Sequence, residues 1–142
     1  MTALNPYLSF DGNAEEAMNF YATAFGTSLA TVMRWGESPQ CDGMSDADKN
    51  KVMHAALPVG NSVIMASDFV AMPGMEYKAG TNFSVAIGPD TREEADRLFG
   101  ALSAGGNVTC PMMEMFWGGY FGSFIDKFGI AWLINQGGAN QG

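Results

Sequence analysis

The chain has 142 residues, 47% of them hydrophobic, with 7 Lys or Arg against 15 Asp or Glu and a net charge of -8 at pH 7. Such a length fits one globular domain, and a field of that sign repels phosphate backbones and anionic headgroups, so nucleic acid and membrane surfaces are excluded as expected partners. The apolar runs fall far short of the roughly 18 residues that cross a bilayer, and MTALNPYLSF has no basic-then-apolar leader, so a cytoplasmic location is expected.

Residues 4–10 alternate as a strand, and Asn13 with Glu16 forms a capping-box pattern for a helix over about 13–25. Its apolar positions Ala14, Ala17, Met18, Tyr21, Ala24 and Phe25 recur at helical steps, and Gly26 ends it. The loop 36–51 is polar and acidic, and is expected to be a solvated, mobile connection. Its acids Asp42, Asp46 and Asp48 do not follow the spacing of a calcium loop. Strands are predicted at 28–35, 52–58 and 61–67, the last two joined by a tight Gly60-Asn61 turn.

The order then repeats. A strand at 81–88 precedes a helix over about 91–103, opened by Thr91 with Glu94 at the capping-box position, and strands follow near 106–112, 119–126 and 130–135. LNPYLSF matches TNFSVAI, and VGNSVIMAS matches FGIAWLINQ with Gly60 over Gly129. Matches in conserved order imply duplication. The predicted fold is therefore α+β, a single domain of two βαβββ modules, about 4–67 and 81–135, whose curved mixed sheets surround a cup. The tail QGGANQG after Asn135 should be flexible.

Strand alternation sorts side chains between two faces. Leu8, Phe10, Val63, Met65, Phe83, Val85, Ile87, Trp132 and Ile134 form an apolar set that needs a helix over it. The opposite set is Asn5, Tyr7, Ser9, Ser62, Ile64, Ala66, Asn82, Ser84, Ala86, Ala131, Leu133 and Asn135. Burying its amides and hydroxyls dry would cost about 1–3 kcal/mol for each unpaired group, so it reads as the lining of a small-molecule cup. From it Asn5, Tyr7, Asn82, Ser84 and Asn135 are taken as ligand-binding candidates.

His54 is the single histidine, and the two cysteines, Cys41 and Cys110, form no CxxC pair, so a zinc cage cannot be assembled and free thiols are expected. In VMHAALPV, His54 shares its alternation class with Ala56 and faces the cup, where it is the candidate base near neutral pH. Glu114 is a second acid/base candidate, in the glycine-rich aromatic segment PMMEMFWGGYFG. There Phe116, Trp117, Tyr120 and Phe121 suit a lid over a ligand or a dimer seam, and Trp117 and Phe121 join the ligand-binding candidates. Asp68 and Asp126 end or precede strands and are expected to stabilise turns.

The segments NPYLSFDGNAEEAMNFYATAFG, VMHAALPVGNSVIMASD and FWGGYFGSFIDKFGIAWLIN span most of the chain in order. They resemble the PhnB-like (YjdN-like) branch of the glyoxalase/bleomycin-resistance/extradiol-dioxygenase superfamily. This resemblance implies paired βαβββ modules in a homodimer, with a cup-shaped site, whether the modules pair within one chain or between subunits. Metal-dependent members place His or Glu ligands at points that fall here on Asn5 (or Pro6 if the Asp11-Gly12 turn is aligned differently), Asn82, Ile64 and Leu133. Two amides and two aliphatics do not make the shell of a catalytic transition metal, so a resident divalent metal is disfavoured, with a metal held by other ligands kept as the alternative. Relatives often carry a ubiquinone-biosynthesis methyltransferase label, but no glycine-rich strand-to-helix loop of a nucleoside-cofactor site occurs in the sequence. The expected function is binding of a small molecule of undetermined identity. The alternatives are a lyase, isomerase or transferase using His54 or Glu114, and sequestration of a flat aromatic drug between side chains such as Phe116 and Trp117.

Overall fold

The computed structural model describes residues 2–137 apart from Gln40 and Met72. The end of the expected flexible tail, 138–142, lies outside the described residues. Two compact units divide at Lys78 and Ala79. The first contains β1 (Tyr7–Phe10), α1 (Ala14–Phe25), β2 (Thr31–Arg34), a short helical turn α2 (Asp46–Lys49), β3 (Val52–Val59) and β4 (Ser62–Asp68). The second contains β5 (Val85–Ile87), α3 (Arg92–Ser103), β6 (Asn107–Glu114), β7 (Tyr120–Ile125) and β8 (Ala131–Gln136). The sheet orders are β1-β4-β3-β2 and β5-β8-β7-β6. In both, the first strand runs parallel to the last and the other neighbours are antiparallel. The fold is α+β, with βαβββ order and the same strand order in both units.

In the first unit α1 packs over β3 and β4. Ala14, Ala17, Met18, Tyr21 and Ala24 are buried, as their spacing predicts, with Ala22 beside them. Gly26 ends the helix at φ 70, a left-handed conformation that costs glycine little, and its N–H donates to Thr23 O. The start of α1 corrects the capping-box expectation. Asn13 makes no side-chain cap; the buried Asp68 at the end of β4 accepts from Gly12 N (3.1 Å) and Ala14 N (2.8 Å) through one oxygen and from Val52 N (2.9 Å) through the other. One carboxylate thus ties the starts of α1 and β3 to the end of β4, the turn-stabilising role expected of it.

In the second unit Thr91 caps α3 as predicted, accepting from Glu94 N at 3.1 Å, while the Glu94 carboxylate reaches Asp90 N at 3.3 Å. Ala95, Leu98 and Leu102 of α3 are buried, as are Phe124, Trp132 and Ile134 of the sheet. The Phe99 and Phe124 rings meet edge to face at 5.2 Å. Asp126 holds the β7–β8 turn, accepting from Phe128 N, Ile130 N and Trp132 Nε1 at 2.8–3.0 Å.

Three other expectations change. Strand β5 is short, leaving Asn82 and Ser84 outside it in exposed chain. The loop 36–51 contains α2, whose Ser45 cap accepts from Asp48 N. Glu114 belongs to strand β6, and the aromatic loop shrinks to the turn 115–119, closed by Met115 N to Gly119 O (2.7 Å) and Gly118 N to Met115 O (2.9 Å).

Candidate functional site

Register assigns each side chain to a face. In the second unit Val85 pairs with Trp132 and Ile87 with Ile134, and the last strand packs against α3 with Trp132 and Ile134 buried, so by alternation Ala86, Leu133 and Asn135 point to the opposite face, as predicted. In the first unit Leu8 pairs with Ala66 and Tyr7 with Met65. Ile64 and Ala66 are therefore buried with Leu8 and Phe10 on the helix side, and Val63, Met65 and Ser67 lie on the open face. This reverses the predicted face of β4. The physical reason lies in the turns: β3 and β4 join through two residues, with Val59 opposite Ser62, whereas Ile125 sits opposite Ala131 across five. Laying Gly60 over Gly129 ignores this difference of three residues, and an odd shift exchanges the faces of a strand.

On the open face of the first sheet, β3 presents His54 and Ala56, whereas Ala55 and Leu57 are buried beneath α1. A bulge beside Met53 restores this phase: Arg34 pairs with Val52 and Met33 with His54. The half-buried His54 ring lies 5.9 Å from that of Tyr7, tilted by 32°. Register puts Ser67 of β4 on one side of His54 and Met33 of β2 on the other. An imidazole, a phenol, a hydroxyl and two thioethers, Met33 and Met65, make an adaptable surface with one proton carrier. Ser67, Met33 and Met65 were missed by sequence; the signal was Asp68, whose use in capping a buried helix end puts β4 in the opposite phase. Asn5 lies just before β1, where its Oδ1 accepts from Val63 N at 2.9 Å and anchors the strand pair.

The open face of the second sheet carries Phe121 opposite Asn135 and Ser123 opposite Leu133, with Met113 and Cys110 on β6 beside them. Thr109 Oγ1 and Ser123 Oγ share a hydrogen bond of 2.7 Å. The Trp117 ring stands 6.4 Å from Phe121 and 5.2 Å from Phe116, both edge-on, and Phe116 is 99% exposed at the turn. Both cysteines are free thiols. Asn135 Oδ1 is buried without a hydrogen-bond partner.

Glu114 stands on the helix side of this sheet. Its carboxylate pairs with Arg92 of α3 at 3.0 Å, and Arg92 lies 4.7 Å over the ring of Tyr120. Tyr120 donates to Asp96 at 2.6 Å, and this hydrogen bond raises the phenol pKa above its ordinary value. Glu114 and His54 thus belong to different units and different kinds of face. Of the four positions carried over as metal points, Asn5 uses its oxygen on a backbone amide, Ile64 is buried under α1, Asn82 is exposed outside a strand and Leu133 is aliphatic. Among the described residues no three His, Cys, Asp or Glu side chains are grouped to hold a metal ion, so the donor set does not fit a catalytic transition metal.

A family model described as 3-demethylubiquinone-9 3-methyltransferase matches residues 2–135. Protein YjdN of Escherichia coli (strain K12) is 33% identical over 140 residues, covering 93% of both chains. Protein PA1353 of Pseudomonas aeruginosa, known from a crystal structure, shares 39% identity over 96% of this chain and 98% of its own, with a TM-score of 0.84. A glyoxylase/bleomycin resistance protein/dioxygenase domain from Frankia sp. EAN1pec, at 14% identity, covers 100% of this chain and 95% of its own with a TM-score of 0.68, a likeness of fold alone.

Proposed function

Since the chain belongs to the PhnB-like family described as 3-demethylubiquinone-9 3-methyltransferase, and has the fold of a glyoxylase/bleomycin resistance protein/dioxygenase domain, we propose that it binds a small organic molecule on the sheet faces turned away from its helices, without a resident catalytic metal. The observation that carries this reading is the His54 and Tyr7 pair, set among Ser67, Met33 and Met65 on a face that no helix of its own unit covers. A solvated face of mixed polarity with soft thioethers suits a neutral or cationic organic ligand. The methyl transfer in the family's description forms no part of the proposal: Gly12 N and Ala14 N, at the first strand-to-helix turn, already donate to Asp68 and do not offer a phosphate cradle. We also take the protein to be a cytoplasmic homodimer; its free cysteines suit a reducing compartment, and exposed Phe116 and Trp117 suit a subunit seam.

The test is a thermal-shift and calorimetric screen of neutral and cationic metabolite-sized compounds against the protein and its His54→Ala and Tyr7→Ala variants. A hit should bind the variants at least about tenfold more weakly, a loss of about 1.4 kcal/mol. Hits with equal affinity for all three proteins would remove this face from the site. A second reading, an enzyme using His54 as general acid or base, is favoured by its being the one imidazole in the chain; Glu114 is held by Arg92 on the helix side. For any compound found to turn over, His54→Ala should abolish the reaction, and unchanged turnover would remove the base.

A further inference from the structure

Strand β6 is irregular where its sulfur atoms lie. Cys110 pairs with Ser123 and Met113 with Phe121, so three steps along β6 match two along β7, and the register slips between them. In a regular strand residues three apart point to opposite faces; the extra residue of a bulge puts them on the same one. Pro111, which has no N–H to give to the ladder, lies inside the slip. A thiol and a thioether are thereby brought together: Cys110 Sγ is 3.9 Å from Met113 Sδ in a solvent-exposed contact, and Met113 is 46% exposed. As a hydrogen bond this is weak, and the thiol's other acceptor, Pro111 O, stands at 3.6 Å. As a pair of ligands it is well spaced. Two sulfurs 3.9 Å apart suit one ion about 2.3 Å from each, at a sulfur–ion–sulfur angle of about 115°. The oxygen donors nearby are already engaged: Ser123, opposite Cys110, and Thr109 bond each other at 2.7 Å, and the Glu114 carboxylate pairs with Arg92 on the helix side.

We propose that Cys110 and Met113 form a surface site for a soft monovalent metal ion of the Cu(I) class. The ion replaces the thiol proton, which leaves to solvent; thiolate and thioether each donate an electron pair, and no electron is transferred. Soft sulfur donors select Cu(I) over magnesium, calcium or manganese, and two of them leave the four-ligand shell of zinc incomplete. A net charge of -8 draws cations toward the chain. The site goes beyond the small-molecule reading and uses a different unit from the His54 face.

The test titrates the reduced full chain, without oxygen, with Ag(I), a redox-inert soft ion, and with Cu(I) held by a competing chelator. The chelator gives the affinity, and alkylation by iodoacetamide, mapped by mass spectrometry, gives the place. One ion per chain should bind and protect Cys110 and not Cys41. Cys41 and Met44 are also three residues apart, but in a turn closed by Met44 N to Cys41 O at 3.1 Å, so Cys41→Ser should leave the affinity unchanged. Met113→Leu, an exposed change of similar volume, should weaken Cu(I) at least about tenfold, the lower end of the loss when a supporting partner of a metal ligand is removed. Cys110→Ser should abolish binding. Equal affinity of the native protein and Met113→Leu overturns the site, since the thiol then acts alone. Two ions of similar affinity with both cysteines protected also overturn it, as does a chelator that keeps all its Cu(I). None of these outcomes bears on the His54 face, which its own screen tests.

Discussion

A single buried carboxylate decides how the first unit closes. Asp68 accepts three backbone N–H groups, and without it the buried Ala14 and Val52 amides lose their acceptor. Hydrogen bonds to a charged group contribute about 1.5–3 kcal/mol each, so Asp68→Ala should lower stability by about 3 kcal/mol in urea unfolding. Asp68→Asn should be nearly as harmful, because one of its two acceptors becomes a donor. A loss below about 1 kcal/mol for both would show that the carboxylate is dispensable. At the surface, the Tyr120–Asp96 hydrogen bond makes a pH-dependent prediction. The bond favours the neutral phenol and raises its pKa, so the interaction is complete at neutral pH and is lost as pH rises through that raised value. Ultraviolet titration should find Tyr120 ionising later than an ordinary phenol, as the component that Asp96→Asn returns toward the ordinary range; a curve unchanged by that substitution would count against the bond.

At the scale of elements, the two sheets share a strand order, and the second depends on two close approaches at glycine. A Cβ on Gly106, just before β6, would collide with the backbone of Ile125 and Asp126, which cannot swing aside. On Gly122 of β7 it would meet Met112 Sδ at 2.5 Å and Phe99 Cε2 at 2.8 Å, the ends of side chains rather than backbone, although Met112 N stands at 3.1 Å. Gly106→Ala should therefore destabilise by about 3 kcal/mol or more and Gly122→Ala by about 1–3 kcal/mol, measured by denaturant unfolding. The reverse ranking would mean that the start of β6 is more yielding than its backbone neighbours imply. The sheet faces follow the same logic: turn length fixes strand phase, and phase determines which side chains are left for a ligand.

For the whole molecule, the fold shared with a glyoxylase/bleomycin resistance protein/dioxygenase domain raises metal chemistry as the first alternative, and the four positions carried over as metal points hold amides and aliphatics rather than His and Glu. Elemental analysis after exposure to zinc, manganese, nickel and iron should find metal well below one ion per chain and no thermal stabilisation. Near-stoichiometric retention with a raised melting temperature would revive metal-dependent catalysis. Sedimentation of the same sample should give the mass of a dimer, and a monomer at micromolar concentration would remove the proposed seam.

Local signals carried much of the fold. The spacing of Ala14, Ala17, Met18 and Tyr21 marked the buried side of α1, Thr91 marked the start of α3, and the alternation of VMHAALPV put His54 on the open face, because these properties arise from neighbours along the chain. The repeated segments likewise foretold the βαβββ order of both units, although the match of Gly60 to Gly129 put β4 out of phase. Tertiary structure alone decided what depends on partners distant in sequence. It assigned the cap of α1 to Asp68 rather than to Asn13 and Glu16, and it set β4 in the phase that exposes Met65 in place of Ile64. It also turned Glu114 toward Arg92 and left Asn135 Oδ1 buried beside Gly119 without a donor. Helical and strand periods are written in adjacent residues; register and hydrogen-bond satisfaction are set only when separate segments meet, so a shift of one residue changes which atoms are left for a ligand.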